Sequence, residues 1–155
     1  MVNERKWLPH FGELIDRLTI HQLKEVFIPE HKEKYAHEMT QIMHDIDLLI
    51  EEKKVVASSE LIRAIVVIAQ MDTHIWYNES KARQGNSQDP SLLQLTHGLN
   101  GLRNNAQNFI LELIGQIERK DYKTDCLAAQ FHEWEISLTK YREEVQSEDL
   151  TTGDH

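Results

Sequence analysis

What this chain has little of narrows its chemistry first. A single cysteine, Cys126, excludes an internal disulfide framework, suits a reducing compartment and reads as a small packed residue rather than a nucleophile. No apolar run approaches bilayer length: Ala64 to Ala69 is far too short, and the N-terminus shows no apolar segment of the kind a secretory leader needs. Basic residues are in deficit, with a formal net charge of -9 and a pI near 5.4. A surface that neutralises phosphates is usually net basic, so duplex nucleic acid is not an expected partner. Reactive motifs are missing too: no Gly-rich phosphate loop, nucleophile elbow, dinucleotide fingerprint, zinc-protease pattern, paired-cysteine pattern or Glu-x-x-His pair. Nine histidines are present, but His37 and His44 stand two helical turns apart, too far to chelate one ion by themselves. The expectation is a soluble cytoplasmic protein with no metal, no cofactor and no membrane contact.

What is present is helical periodicity almost throughout. A chain of 155 residues with 40% hydrophobic content supports one domain. Residues 1–145 are expected to form it, with 146–155 an acidic flexible tail. Leu14, Ile15, Leu18, Leu23, Val26 and Phe27 define a first helix stopped before Pro29. Tyr35, Met39, Ile42, Met43, Ile46, Leu49 and Ile50 follow steps of three and four in a second. Ser58 or Ser59 caps a third, apolar on all sides from Leu61 to Ala69 and hence expected to be central, which breaks near Gly85. Asp89 and Pro90 open a fourth, with a core line through Leu92, Leu95, Leu99, Leu102, Ala106, Phe109, Leu113 and Ile117. A last helix begins near Thr124 and carries Leu127, Phe131, Trp134, Leu138 and Tyr141. The reading is an all-α, single-domain antiparallel bundle of about five helices.

Polar residues interrupt these faces in a pattern. Asp72, Trp76, Glu79 and Arg83 fall at spacings of four, three and four, continuing the line of Ile65 and Ala69, so this stripe is expected to point inward. On the fourth helix Asn100, Arg103, Asn104 and Gln107 flank the apolar face, with Gly98 and Gly101 permitting close approach. On the first, Glu13, Asp16, Arg17 and Lys24 share about a third of the circumference. Turned inward together, the three strips would place carboxylates, guanidinium groups and amides in one cavity, and buried charges need partners or a ligand.

Gly12-Glu13-Leu14-Ile15-Asp16-Arg17-Leu18-Thr19-Ile20, followed by Leu23-Lys24, resembles the opening block of a bacterial and phage helical domain of unknown function, sometimes found beside glycosyltransferase domains. Ile75-Trp76 with Glu79 and Arg83 is similar to that family's Trp, acidic and Arg helix, and Leu99-Asn100 with Arg103-Asn104 to its Leu-Asn then Arg-Asn helix. The resemblance covers less than half of the chain. It implies no reaction, and it draws attention to the same positions as the strips.

Three functional readings follow. In the first, a non-enzymatic bundle, expected to be oligomeric, captures an anionic, nucleotide-like or nucleotide-sugar molecule. Glu13, Arg17, Lys24, Trp76, Glu79, Arg83, Asn100, Arg103 and Asn104 would form its pocket: Arg17, Lys24, Arg83 and Arg103 on phosphate or carboxylate oxygens, Asn100 and Asn104 with Gln107 on polar edges, and Trp76 or Tyr77 as a stacking face. In the second, the strips form a structural network inside a protein-interaction scaffold, and an exposed apolar stripe on the second or fifth helix, with Trp7, Trp134 and Tyr141 the aromatic residues expected at such a surface, carries the function. In the third, Glu13-x-x-Asp16 and Glu30-x-x-Glu33 hold Mg²⁺ against a triphosphate, as carboxylate pairs do in all-helical pyrophosphatases.

Overall fold

The computed structural model describes residues 8–85, 90–116 and 138. Among them the chain is all-α, with four helices: α1 (Phe11–Phe27), α2 (Lys32–Lys53), α3 (Ser59–Gln84) and α4 (Pro90–Leu113). A 3-10 turn, Pro29–His31, leads into α2. No helix among these residues is long and apolar enough to cross a membrane. The fifth helix expected from Thr124, the acidic tail and the Asp89 cap lie outside the described residues. Leu138 is the exception, half-buried against the core.

Local chemistry explains where the helices start and stop. His10 caps α1, its ring Nδ1 accepting from the Glu13 amide at 3.2 Å. Proline restricts the residue before it to extended backbone, and Ile28, ahead of Pro29, leaves helical geometry at φ -125 and ψ 71. Ser58 caps α3, its Oγ accepting from the Leu61 amide at 3.1 Å. Two helix ends close by the same reciprocal bonding of two amides onto the last turn. At the end of α2, Val55 donates to the Ile50 carbonyl and Lys54 to that of Glu51; at the end of α4, Gln116 donates to Leu111 and Gly115 to Glu112. Both closures need a left-handed residue, and only one of them has a glycine: φ is +79 at Gly115 and +52 at Lys54.

Two antiparallel hairpins make the fold. In the first, His21 Nε2 pairs with Glu38 Oε2 at 2.7 Å and the Lys24 ammonium lies 5.7 Å from the Tyr35 ring centre, so α2 runs back along α1. In the second, Arg103 meets Asp72. Asp72 lies twelve residues before the end of α3 at Gln84, and Arg103 thirteen after the start of α4 at Pro90. Nearly equal distances from a short connection mean that α3 and α4 run antiparallel. The first half of α1 joins the hairpins, packing on both α3 and α4. A Cβ on Gly12 would stand 3.3 Å from the Gln107 carbonyl oxygen, so the α1 backbone touches α4 there. Phe11, Ile15, Ala64, Ile68, Ala106 and Ile110 are at the centre of the core.

Three expectations need correction. The third helix is not apolar on a fully covered surface: Ile62 and Val66 are exposed, because α2 packs against α1 rather than closing over α3. On α2 only Met39 and Ile46 are buried, and Met43 and Ile50 face solvent. The α4 core line turns at its end, with Ile110 and Ile114 buried while Leu113 is exposed.

The left-handed lysine is a correctable strain. Lys54→Gly is expected to stabilise the protein by about 1 kcal/mol, and Gly115→Ala to destabilise it by a similar amount, both read from urea denaturation followed by helical circular dichroism.

Candidate functional site

A buried polar layer lies where α1, α3 and α4 meet. α1 contributes Glu13 and Asp16, one turn apart on its inner face; α3 contributes Asp72; α4 contributes Arg103, Asn104 and Gln107. All are buried except Arg103, whose side chain is 18% exposed. Asp72 is 0% exposed. It accepts from Arg103 Nη1 at 3.3 Å through Oδ1, and its carboxyl is also hydrogen-bonded to that of Asp16. Burial pushes Asp72 from its ordinary value of 3.8 up to about 9, and the Asp16 carboxylate adds to the rise; Arg103 opposes both and does not overcome them. The geometry with Arg103 is that of an ion pair, yet burial and the neighbouring Asp16 carboxyl keep Asp72 protonated at neutral pH. One guanidinium therefore faces a buried carboxyl that keeps its proton.

The rest of the layer carries open hydrogen-bonding capacity. Glu13 Oε1, Asp72 Oδ2, Arg103 Nε, Asn104 Oδ1 and both amide atoms of Gln107 are buried with no hydrogen-bonding partner. His10, 2% exposed, faces the same layer. Its Nδ1 is used as the α1 cap, so Nε2 carries the ring proton and points at Glu13 Oε1 from 3.6 Å.

The expected site residues divide into three groups. Glu13, Arg103 and Asn104 enter the layer, together with Asp16, Asp72 and Gln107. Trp76 and Asn100 are half-buried. Lys24 is half-buried beside Tyr35, at the α2 side of α1. Arg17, Glu79 and Arg83 are exposed, which corrects the expected inward stripe. Glu79 and Arg83 lie seven and eleven residues beyond Asp72, about 10 and 16 Å further along the axis, and the helix face there is in solvent. Of the two candidate carboxylate pairs, Glu13 and Asp16 lie near the start of α1, whereas Glu30 and Glu33 are exposed beyond its far end, about 20 Å away along the helix. Among the described residues no three His, Cys, Asp or Glu side chains are grouped to hold a metal ion.

Four buried polar residues, His10, Asn78, Asn108 and Gln116, lie outside the strips marked by spacing. His10 is an uncommon cap, and the signal for it was only its place before the first apolar repeat. Asn78 is buried on α3, three residues after the buried Ile75. That spacing marks it as inward-facing.

A second feature is a groove of about 610 Å³ between α1, α2 and α3. Its floor is Leu18 and Leu23 of α1. Ala36, Met39 and Met43 form the α2 wall, and Ala69 and Thr73 the α3 wall. No family model matches this chain, and neither a curated protein nor a solved structure matches it.

The proton held by Asp72 makes stability depend on pH. The unfolded chain releases it near pH 3.8 and the folded chain near 9, so this contribution is complete below 3.8 and is lost as pH rises through 9. Urea midpoints are expected to fall from pH 5 to pH 9, with Asp72 contributing at most about 1.4 kcal/mol per pH unit. Asp72→Asn keeps a neutral side chain and should flatten that fall relative to the parent protein. Parallel pH profiles for the two would contradict the assignment.

Proposed function

We propose that this chain is a helical interaction module: its polar layer holds three helices in register, and the groove bounded by α2 takes up a protein partner. The observation that carries this reading is the open side of α2. That helix packs on α1, and the face it turns toward α3 is apolar and accessible, with Met43 51% exposed. On the α3 side, Ile62 and Val66 extend the line of Ala69 and Thr73 at helical spacing, and both are exposed. Contiguous accessible apolar residues rimmed by polar ones mark interaction surfaces.

The polar layer supports the structural role over anion capture. Three carboxyl groups, Glu13, Asp16 and Asp72, share the layer with one guanidinium, so it does not offer the cationic surroundings that an anion requires. Of the other expected anion ligands, Arg17 and Arg83 are exposed and apart from it, and Lys24 lies beside Tyr35 on the α2 side of α1.

Arg103→Ala separates the two readings. A structural network predicts a loss of about 1–3 kcal/mol in unfolding free energy, with Arg17→Ala and Arg83→Ala within about 0.5 kcal/mol of the parent, and no rise in melting temperature with nucleotides or nucleotide sugars. A nucleotide-induced rise that Arg103→Ala abolishes while stability is retained would favour capture instead.

A further inference from the structure

The groove and the charges around it go further than an unspecified partner. α2 contributes Glu33, Ala36, Thr40, Met43, Asp47 and Ile50 at steps of three, four, three, four and three, so all six lie on one stripe. The middle of that stripe lines the groove, and its ends reach beyond it in both directions. α3 presents Ile62, Val66, Ala69 and Thr73 in the same manner. Two helical walls on a helical floor leave a long, open trough, which suits one further helix lying along it better than an enclosed small molecule. Methionine is unbranched and adapts its shape to a docked side chain, and Met39 and Met43 both lie in the α2 wall.

Charge selects the kind of helix. Glu25 lines the trough, and Glu33 and Asp47 bracket its α2 wall, with Lys32 the cation nearest that stripe; Lys34 falls on the opposite face of α2, and Arg63 is exposed beside Ile62 on α3. The whole chain has a net charge of -9, so a second copy would bring the same excess of negative charge to an already acidic rim. A cationic partner is attracted by both.

We infer that the trough between α1, α2 and α3 seats a basic amphipathic helix from another protein, its apolar face on Met39, Met43 and Ala69 and its lysine or arginine residues beside Glu25, Glu33 and Asp47. This inference rests on the interaction-module reading and names the partner class for it.

The test uses three labelled 18-residue probes and fluorescence anisotropy with the full-length chain. One probe is a leucine and lysine amphipathic helix; one replaces lysine by glutamate; one has the leucine and lysine composition in a scrambled, non-amphipathic order. The leucine and lysine helix is expected to bind, with the other two at least tenfold weaker. Met43→Asp should weaken that binding at least tenfold. The exchange adds a carboxylate, so non-specific attraction between a cationic peptide and an acidic protein would strengthen rather than fail. The double variant Glu33→Lys, Asp47→Lys should weaken the lysine probe several-fold and narrow its advantage over the glutamate probe. All these positions are exposed, and circular dichroism confirms the fold of each variant.

Equal binding of the lysine and scrambled probes, or of the lysine and glutamate probes, overturns the inference, as does binding indifferent to Met43→Asp. If no probe binds, the inference also fails, and sedimentation velocity then decides the broader reading. Self-association abolished by Met43→Asp would keep the interaction module with a second copy in the trough. A chain that neither binds a probe nor self-associates would remove both.

Discussion

A carboxyl group closed off from water on every side is the constraint around which this bundle is arranged. Asp72 cannot carry a charge cheaply at the middle of α3, so it keeps its proton, and its oxygens must find partners within the fold. Those partners come from two other helices: the Asp16 carboxyl from α1 and the Arg103 guanidinium from α4. A one-residue slip of any helix would rotate its partner group by about 100° and leave a buried polar atom alone. Apolar side chains such as Ile68 and Ile110 supply cohesion, but they tolerate sliding far better than this layer does. The close backbone approach at Gly12 and Gln107 depends on the same register, because it brings the start of α1 down onto α4.

The arrangement of α2 follows from where the layer lies. α1 spends its first two turns, Phe11 to Asp16, on α3 and α4, and its later turns hold α2 through His21 with Glu38 and Lys24 with Tyr35. α2 contributes no residue to the layer. It is attached to one helix and leaves a trough beside α3, so the polar centre and the accessible apolar surface are two results of one division of α1.

Much of this was legible in the residues themselves. Pro29, Ser58 and Gly85 act within a few bonds of the backbone they interrupt, and the helix limits fall at them. The Asp16, Asp72 and Arg103 faces could be read from spacing, because each lies in line with apolar neighbours on its own helix. Periodicity gives the direction of a side chain, but not how far a neighbouring helix extends to cover it. That is why Glu79 and Arg83 share a stripe with Asp72 and still lie in solvent, and why Ile62, Val66 and Leu113 are exposed. The lysine at the end of α2 was illegible for another reason: a left-handed cap normally announces itself by glycine, and here the strain is carried by Lys54.

The most direct test of this account is a ¹³C NMR titration of the aspartate carboxyl resonances, with Asp72 assigned by its loss in the asparagine variant. A resonance that remains at the protonated position at pH 7 and moves only near pH 9 is the predicted result. An Asp72 carboxyl that titrates near pH 4 would mean that this buried group is charged at neutral pH, and the polar layer described for α1, α3 and α4 would be wrong.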